Sequence, residues 1–418
     1  MAGLAGGVSA QLRSIALVHY TAPPVVGGVE HVLDAHARLL ADAGHRVRIV
    51  AGRGASGDPR VAFVGVPLAD TQHPAVIALQ VGLDAGRIPA AFDATVATLA
   101  GALGAALGDA DVVIAHNVAS LNRNLALTAA LHGLATRAGA PRLILWHHDL
   151  AWTLPAYRPT LHEGHPWDLL RNRWPGATQV TISAARRADL AALQGLPVSA
   201  VRVVPNGVDI TALLGLAGAT VSLIRAADLL AFDPLILLPV RITPRKNIEL
   251  ALRVVAALRA AGRPHAGLVV TGPVDPHLGA ADAYLAALVG LRQELGLDGA
   301  AVFLAEMLDD PADRALVLGL YRLADLLLLP SFDEGFGIPI LEAAAHRLPI
   351  VCSNLPSLRE MAGEAATYFE VDADPGLIAA MTIARLDGDA LVSFARRVRT
   401  EYAWEAVYRR EIAPLLEG

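Results

Sequence analysis

Lysine is almost missing from this 418-residue sequence: 33 of its 34 basic side chains are arginine, and the single lysine is Lys246. Cysteine is as scarce, with Cys352 alone, which excludes an intrachain disulfide framework and a cysteine-based metal cluster. No uninterrupted apolar run approaches the roughly 20 residues of a membrane-spanning helix. The opening MAGLAGGVSAQLRS has neither a charged leader nor an apolar core of export-signal type, so the expectation is a soluble cytoplasmic protein. Excess positive charge is absent too. Residues 1–209 hold 16 Arg against 14 acids, and the remainder holds 18 basic residues against 26 acids. Neither half offers the basic face of a nucleic-acid binder, and the near-neutral first half argues against peripheral membrane contact.

What is present is a globular composition, 54% hydrophobic and 18% charged, in a chain long enough for two domains. The first half alternates apolar strands (SIALVHY at 14–20, HRVRIVAG, DVVIAH at 111–116, LILWHH at 143–148, QVTIS at 179–183) with helical segments such as VEHVLDAHARLLADAG, which Gly44 stops. That alternation predicts a parallel, doubly wound sheet. PNGVD (205–209) closes it, a helical connector covers about 210–232, and the rhythm restarts with PLILLPV, AGLVVTG, AVFLAE, DLLLLP, PIVCS and ATYFE. The expected division is 1–209, 210–400, and a terminal amphipathic helix at 401–418 packing back on the first domain. Ligands of such sheets bind at the carboxyl ends of the strands, and two facing domains create a cleft between them.

Five strand-end loops carry candidate chemistry. After the first strand, Gly27-Gly28 opens a helix whose N–H groups can meet an anion. No G-x-G-x-x-G is there, so the dinucleotide fingerprint is missing. After PLILLPV, the loop Arg241-Ile-Thr-Pro-Arg-Lys246 concentrates cations suited to a diphosphate, and the one lysine falls within it. After LILWHH, His147, His148 and Asp149 include side chains on both faces of the strand. A histidine there can bind a sugar hydroxyl or move a proton. His116-Asn117, after the preceding strand, is a further candidate on the acceptor side. Finally, SFDEGFGIPILEAAAHRLPIV (331–351) places Glu334 in a loop and Glu342, by this reading, in the first turn of a helix opened by Pro339. Two carboxylates so placed can accept hydrogen bonds from vicinal hydroxyls of ribose or hexose.

Glu334-Gly-Phe-Gly-Ile-Pro-Ile-Leu-Glu342 resembles the E-x7-E signature of retaining glycosyltransferases of family 4, which have the GT-B fold of two Rossmann-like domains. The likeness extends to the Gly-Gly loop and its helix, the His-Asp after a strand, Ser183 with Arg186, PNGVD, the Arg-x4-Lys pair and the terminal Trp-Glu helix. It implies hexose transfer from a UDP- or GDP-sugar, as co-substrate, to a hydroxyl of a small molecule, saccharide or lipid, with neither bound metal nor other cofactor. By the same resemblance, Arg241 and Lys246 hold the diphosphate opposite the Gly28 backbone, and Glu342 holds the ribose. Glu334 and the backbone of Phe336, Gly337 and Ile338 hold the sugar, main chain near Glu306-Met307 meets the base, and His148 contacts the sugar near its reacting carbon. Two departures stand out: Arg347 replaces the usual glycine, and Thr271-Gly272-Pro273 replaces a glycine-rich turn. The segments 54–110 and 149–175, with Trp152, Tyr157, His162, His165 and Trp167, carry no assignable acceptor pattern. Rival readings are a nucleotide-sugar 2-epimerase of the same fold, a pyridoxal-phosphate phosphorylase, whose Schiff base could come only from Lys246, and a non-catalytic sugar-binding protein.

Overall fold

The apolar runs become two separate parallel sheets. The computed structural model describes residues 11–274 and 281–417; the N-terminal decapeptide, most of the stretch read for an export signal, lies outside them. The first unit contains β1 (Ser14–Val18), β2 (Arg46–Ala51), β3 (Ala62–Gly65), β4 (Val112–His116), β5 (Arg142–His147), β6 (Thr178–Thr181) and β7 (Val201–Val203), in the order β3-β2-β1-β4-β5-β6-β7. The second contains β8 (Leu235–Leu238), β9 (Gly267–Val270), β10 (Ala301–Phe303), β11 (Leu326–Leu329), β12 (Ile350–Ser353) and β13 (Ala366–Phe369), in the order β10-β9-β8-β11-β12-β13. Every ladder is parallel.

The fully buried central strands read as unbroken hydrophobic runs because both of their faces are covered by helices. All of β1, β8 and β11 is buried. The two strands that the alternation did not predict are edge strands, β3 and β7, whose residues are largely half-buried or exposed. A short edge strand has no continuous apolar signal to read.

The winding direction reverses between β1 and β4 in the first sheet and between β8 and β11 in the second. These are the switch points at which the loops diverge and leave a crevice. The loops that follow β1, β8 and β11 carry Gly28, Lys246 and Glu334, and His148 follows β5, the neighbour of β4.

The second unit comprises Val208–Ala406; residues 407–417 belong with the first unit. The division thus falls after 207 and after 406, where the sequence reading placed it after 209 and after 400. The terminal stretch is helical from Trp404, passes through one wide π turn (Tyr408–Ile412) and ends at Glu417. Trp404, Ala406, Val407, Tyr408, Ile412, Leu415 and Leu416 are its buried positions, and Arg142 at the start of β5 donates to the Leu416 carbonyl (3.3 Å).

The second unit is tied internally by a buried ion pair. Arg399, on the helix Ala390–Tyr402, meets Asp325 just before β11, and also donates to the carbonyls of Phe232 (2.5 Å) and Leu230 (3.2 Å). Asp325 in turn accepts from the Leu235 N–H that opens β8 (2.7 Å). Among the described residues no helix is long and apolar enough to cross a membrane.

Candidate active site

In the second unit, two loops at the switch point are stitched together. After β8 the chain makes one short turn, Pro244–Lys246, and Asn247 follows in the left-handed conformation (φ 52°) before the helix Ile248–Ala260. Asparagine tolerates that conformation better than most residues, and it aims Lys246 back toward the sheet end. The Phe332 N–H donates to the Arg245 carbonyl (2.9 Å), and the Arg245 guanidinium donates to the Asp333 carbonyl (3.3 Å). Between these links Lys246 Nζ donates to Glu334 Oε1 at 2.5 Å, with both side chains about nine-tenths buried. The Ser331 hydroxyl donates to the same Oε1 (2.7 Å), and the Ser357 hydroxyl donates to the Glu334 carbonyl (2.6 Å). Lysine and glutamate thus meet 88 positions apart in sequence.

Gly337 is the glycine of the Gly-Phe-Gly turn that the fold requires. Its φ is 89°, and a Cβ there would come within 2.6 Å of Leu358 Cδ2. Gly335 meets no such obstacle and has no positive φ. The helix that follows, Ile338–Ala345, carries Pro339 in its first turn, but Glu342 is its fifth residue. The expectation of a first-turn Glu342 is therefore corrected: one more residue, Ile338, is helical ahead of the proline, and Glu342 moves into the second turn.

Glu342 is held from its side. The buried Tyr321 hydroxyl donates to its Oε2 (2.9 Å), and Arg314 lies 3.6 Å from its Oε1. Burial and the neighbouring carboxylate push the Tyr321 phenol well above its usual range, so it remains a donor at any working pH. Arg241, Met307, Phe336 and Ile338 are exposed. Where the family turn is glycine-rich, Gly272 alone is indispensable: a Cβ there would lie 2.1 Å from the Val240 carbonyl oxygen.

Arg347 has φ 57°. It follows the C-cap His346, its own N–H donates to the Ala344 carbonyl (3.0 Å), and the Leu348 N–H donates to the Ala343 carbonyl (2.9 Å). This paired closure of a helix end calls for a left-handed residue, normally glycine. The departure from the family pattern is therefore a backbone matter, with the arginine side chain directed to solvent.

In the first unit, Gly27 caps the helix Gly28–Asp42 without a side-chain bond. A Cβ on Gly27 would lie 2.1 Å from Glu30 Oε2, because that carboxylate folds back over the helix N-terminus, whereas nothing lies within 4 Å of a Cβ on Gly28. The Thr21 hydroxyl donates to Glu30 Oε1 (2.5 Å), and His19 Nε2 is 3.8 Å from the same atom. The Gly28 backbone is thus left open.

His148 sits at the end of β5, buried to 6% exposure, with its Nε2 3.1 Å from His116 Nδ1 and the two rings stacked. Burial, reinforced by the neighbouring histidines, depresses its pKa to about 3. Three acceptor-side candidates have structural work instead. His116 is fully buried behind His148. Asn117, at φ 58°, uses its side-chain oxygen to accept from the backbone N–H groups of His148 (2.8 Å) and Asp149 (3.3 Å). His147 points to the opposite face of the sheet, where its Nε2 pairs with Gln179 Oε1 (2.8 Å). Alternation along β5 sends adjacent histidines to opposite faces, so only one of them could front the strand ends. Asp149 remains partly exposed. Among the described residues no three His, Cys, Asp or Glu side chains group as a metal site.

Ser331, Tyr321, Glu30 and His19 were not singled out from sequence. Ser331 lies three positions before Glu334, close enough for a local side-chain bond. Glu30 is equally local, three positions after Gly27 on the same helix start, whereas His19 and Tyr321 are brought in by the packing of other elements.

Two family models match the chain in succession: Glycosyltransferase Family 4 over residues 26–212 and Glycosyl transferases group 1 over 226–386. The O-antigen chain mannosyltransferase B of Escherichia coli is 38% identical over 90 residues, which is 21% of this chain and 23% of that protein. The D-inositol 3-phosphate glycosyltransferase of Nocardia farcinica is 30% identical over 190 residues, 45% of this chain and 40% of that one. The chain therefore matches less than half the length of either relative. A sucrose-phosphate synthase from Thermosynechococcus elongatus aligns with 97% of this chain and 98% of its own at 18% identity and a TM-score of 0.36. With two parallel sheets of Rossmann strand order and successive matches to both glycosyltransferase models, the chain belongs to the family-4 glycosyltransferases of the GT-B fold.

Proposed function

We propose that the protein transfers a hexose from a UDP- or GDP-sugar to an acceptor hydroxyl, with retention of anomeric configuration and without a bound metal, in the cytoplasm. The observation that carries this reading is the Lys246–Glu334 pair at the switch point of the second sheet. A buried ammonium and a buried carboxylate presented together suit a ligand that is anionic at one end and hydroxylated at the other.

In this reading Arg241 and Lys246 bind the diphosphate and offset the charge that grows on it as the sugar leaves. Lys246 exchanges part of its contact with Glu334 for a phosphate oxygen. Glu334, held through Oε1 by Ser331, turns its other oxygen to the sugar hydroxyls. Glu342, steadied by Tyr321, accepts from the ribose. The exposed backbone around Phe336, Gly337 and Ile338 approaches the sugar, and Met307 the base. The Gly28 backbone meets the diphosphate from the first unit, and His148 donates a hydrogen bond to the sugar. The acceptor hydroxyl attacks on the face from which the diphosphate departs, and the departing phosphate oxygen takes its proton. Relatives named for inositol phosphate and for O-antigen mannose favour a polyol or saccharide acceptor.

The test is a panel of UDP-, GDP- and ADP-sugars scored for donor hydrolysis by wild type and Glu334→Ala, followed by an acceptor screen with the best donor. The anomeric configuration of the product is read by NMR, with and without chelator. Hydrolysis lost in Glu334→Ala and a product of unchanged configuration are expected. An inverted product, release of epimerised sugar with no glycoside, or activity abolished by chelator would overturn the corresponding part.

A further inference from the structure

His19 and His116, neighbours of His148, are buried and neutral, so the open question at this site is which ring nitrogen carries the proton. His19 Nδ1 lies 2.8 Å from the His116 carbonyl oxygen, an acceptor, so His19 donates there. The His116 ring then has one polar contact, Nδ1 to His148 Nε2 at 3.1 Å, while its own Nε2 is buried with no hydrogen-bond partner. Burial holds the pKa of His116 far below its ordinary value, so the ring is neutral and only one of its nitrogens is protonated.

Two arrangements satisfy the contact. If His148 donates, His116 must carry its proton on Nε2, stranding an N–H donor in the interior. If His116 donates from Nδ1, the stranded atom is a lone pair. An orphaned buried N–H is the rarer and more costly of the two. The Trp146 ring, centred 5.6 Å from that of His116, also has an unpartnered buried nitrogen, but an indole N–H only donates and offers His116 Nε2 no acceptor.

We infer that His116 is a positioning residue that donates from Nδ1 to His148 Nε2 and so fixes His148 in the Nδ1–H tautomer, making its remaining nitrogen a hydrogen-bond donor rather than a base. The tautomer follows from geometry in the first unit alone. Its effect on turnover rests on the proposed contact between His148 and the transferred sugar. A donor at that position can bond a sugar hydroxyl oxygen and cannot remove the acceptor's proton, which leaves that proton to the departing phosphate.

The experiment is nitrogen-15 NMR of histidine-labelled full-length protein, with the His148 signals identified by their loss in His148→Asn. Wild type is expected to show a protonated Nδ1 and an unprotonated Nε2 on His148. His116→Asn, whose amide can donate from nearly the same place, keeps that pattern and most of kcat. His116→Phe shifts His148 toward the Nε2–H form and lowers kcat on the order of tenfold or more with donor KM little changed, as expected when an imidazole loses its tautomer. If His116→Phe does not fold, the wild-type and His116→Asn spectra decide the question. An Nε2–H pattern in wild type, or equal losses of kcat in both variants with the tautomer unchanged, overturns the inference. A protein inactive on every donor but with the Nδ1–H pattern would sink the transferase proposal and leave the tautomer standing.

Discussion

Lys246 and Glu334 are each other's partner: Nζ donates to Oε1 at 2.5 Å, and both side chains are close to nine-tenths buried. Removing either one leaves an uncompensated charge in the interior, whereas removing both does not. Lys246→Ala should therefore lower stability by about 3 kcal/mol or more. It should also weaken donor binding roughly tenfold to a hundredfold, the loss of one charge-assisted hydrogen bond. Lys246→Met combined with Glu334→Leu should recover most of the stability and none of the binding. Calorimetric titration with UDP- and GDP-sugars beside urea denaturation separates the two effects. Donor affinity unchanged in both Lys246→Ala and Arg241→Ala would remove the diphosphate assignment.

The buried histidines set an acid limit on the first unit. Burial lowers the pKa of His36 and of His148 to about 3 and of His147 to about 4. In the unfolded chain these groups titrate near 6.5. Below that pH the unfolded state binds protons that the folded state refuses, so stability falls as pH falls from about 6.5 toward 4 and is unaffected by these groups above 7. Each such histidine contributes a slope of about 1.4 kcal/mol per pH unit within that window. Four of the five tryptophans, Trp146, Trp152, Trp167 and Trp174, lie in this unit, so denaturation followed by their fluorescence at pH 7.5, 6 and 5 reads the effect. A midpoint that does not move with pH would show that the histidines become charged in place.

Arg347 has a left-handed backbone that glycine adopts without cost. Arg347→Gly should stabilise the second unit by roughly 0.5–1 kcal/mol, after allowing for glycine's greater freedom in the unfolded chain. Circular dichroism melts test this. A decrease in stability would mean that the arginine side chain makes a contact worth more than the backbone strain.

Arg399 should be irreplaceable where many surface arginines are not. Arg399→Leu strands Asp325 and two carbonyl acceptors, a loss of about 3–5 kcal/mol. Arg399→Lys should not rescue it, because an ammonium cannot span the carboxylate and two carbonyls that the guanidinium reaches. Soluble yield and melting temperature of both variants would show this. A lysine variant as stable as wild type would mean that charge matters more than shape.

Much of this was legible in the sequence. β1, β8 and β11 announce themselves because burial on both faces demands unbroken apolar runs. Lys246, Glu334 and Glu342 stood out because few residue types combine in that way at strand ends. What stayed hidden depends on chain segments meeting. Nothing near Tyr321 in sequence says that its hydroxyl ends on Glu342, 21 positions later. His116 and Asn117 read as ligands because a polar pair after a strand commonly faces a crevice. Their use in bracing the neighbouring strand becomes visible only when β4 and β5 lie side by side. The helix start at Ile338 was missed by one residue because Gly337, at φ 89°, ends the loop before the proline does.

The return of residues 407–417 to the first unit makes that unit discontinuous along the chain. On the ribosome, the second unit has all of its sequence once Ala406 has emerged. The first, begun earlier, still lacks the segment that covers Arg142 and supplies Leu415 and Leu416. The order of synthesis and the order of completion are therefore opposite. The unit that starts first finishes last.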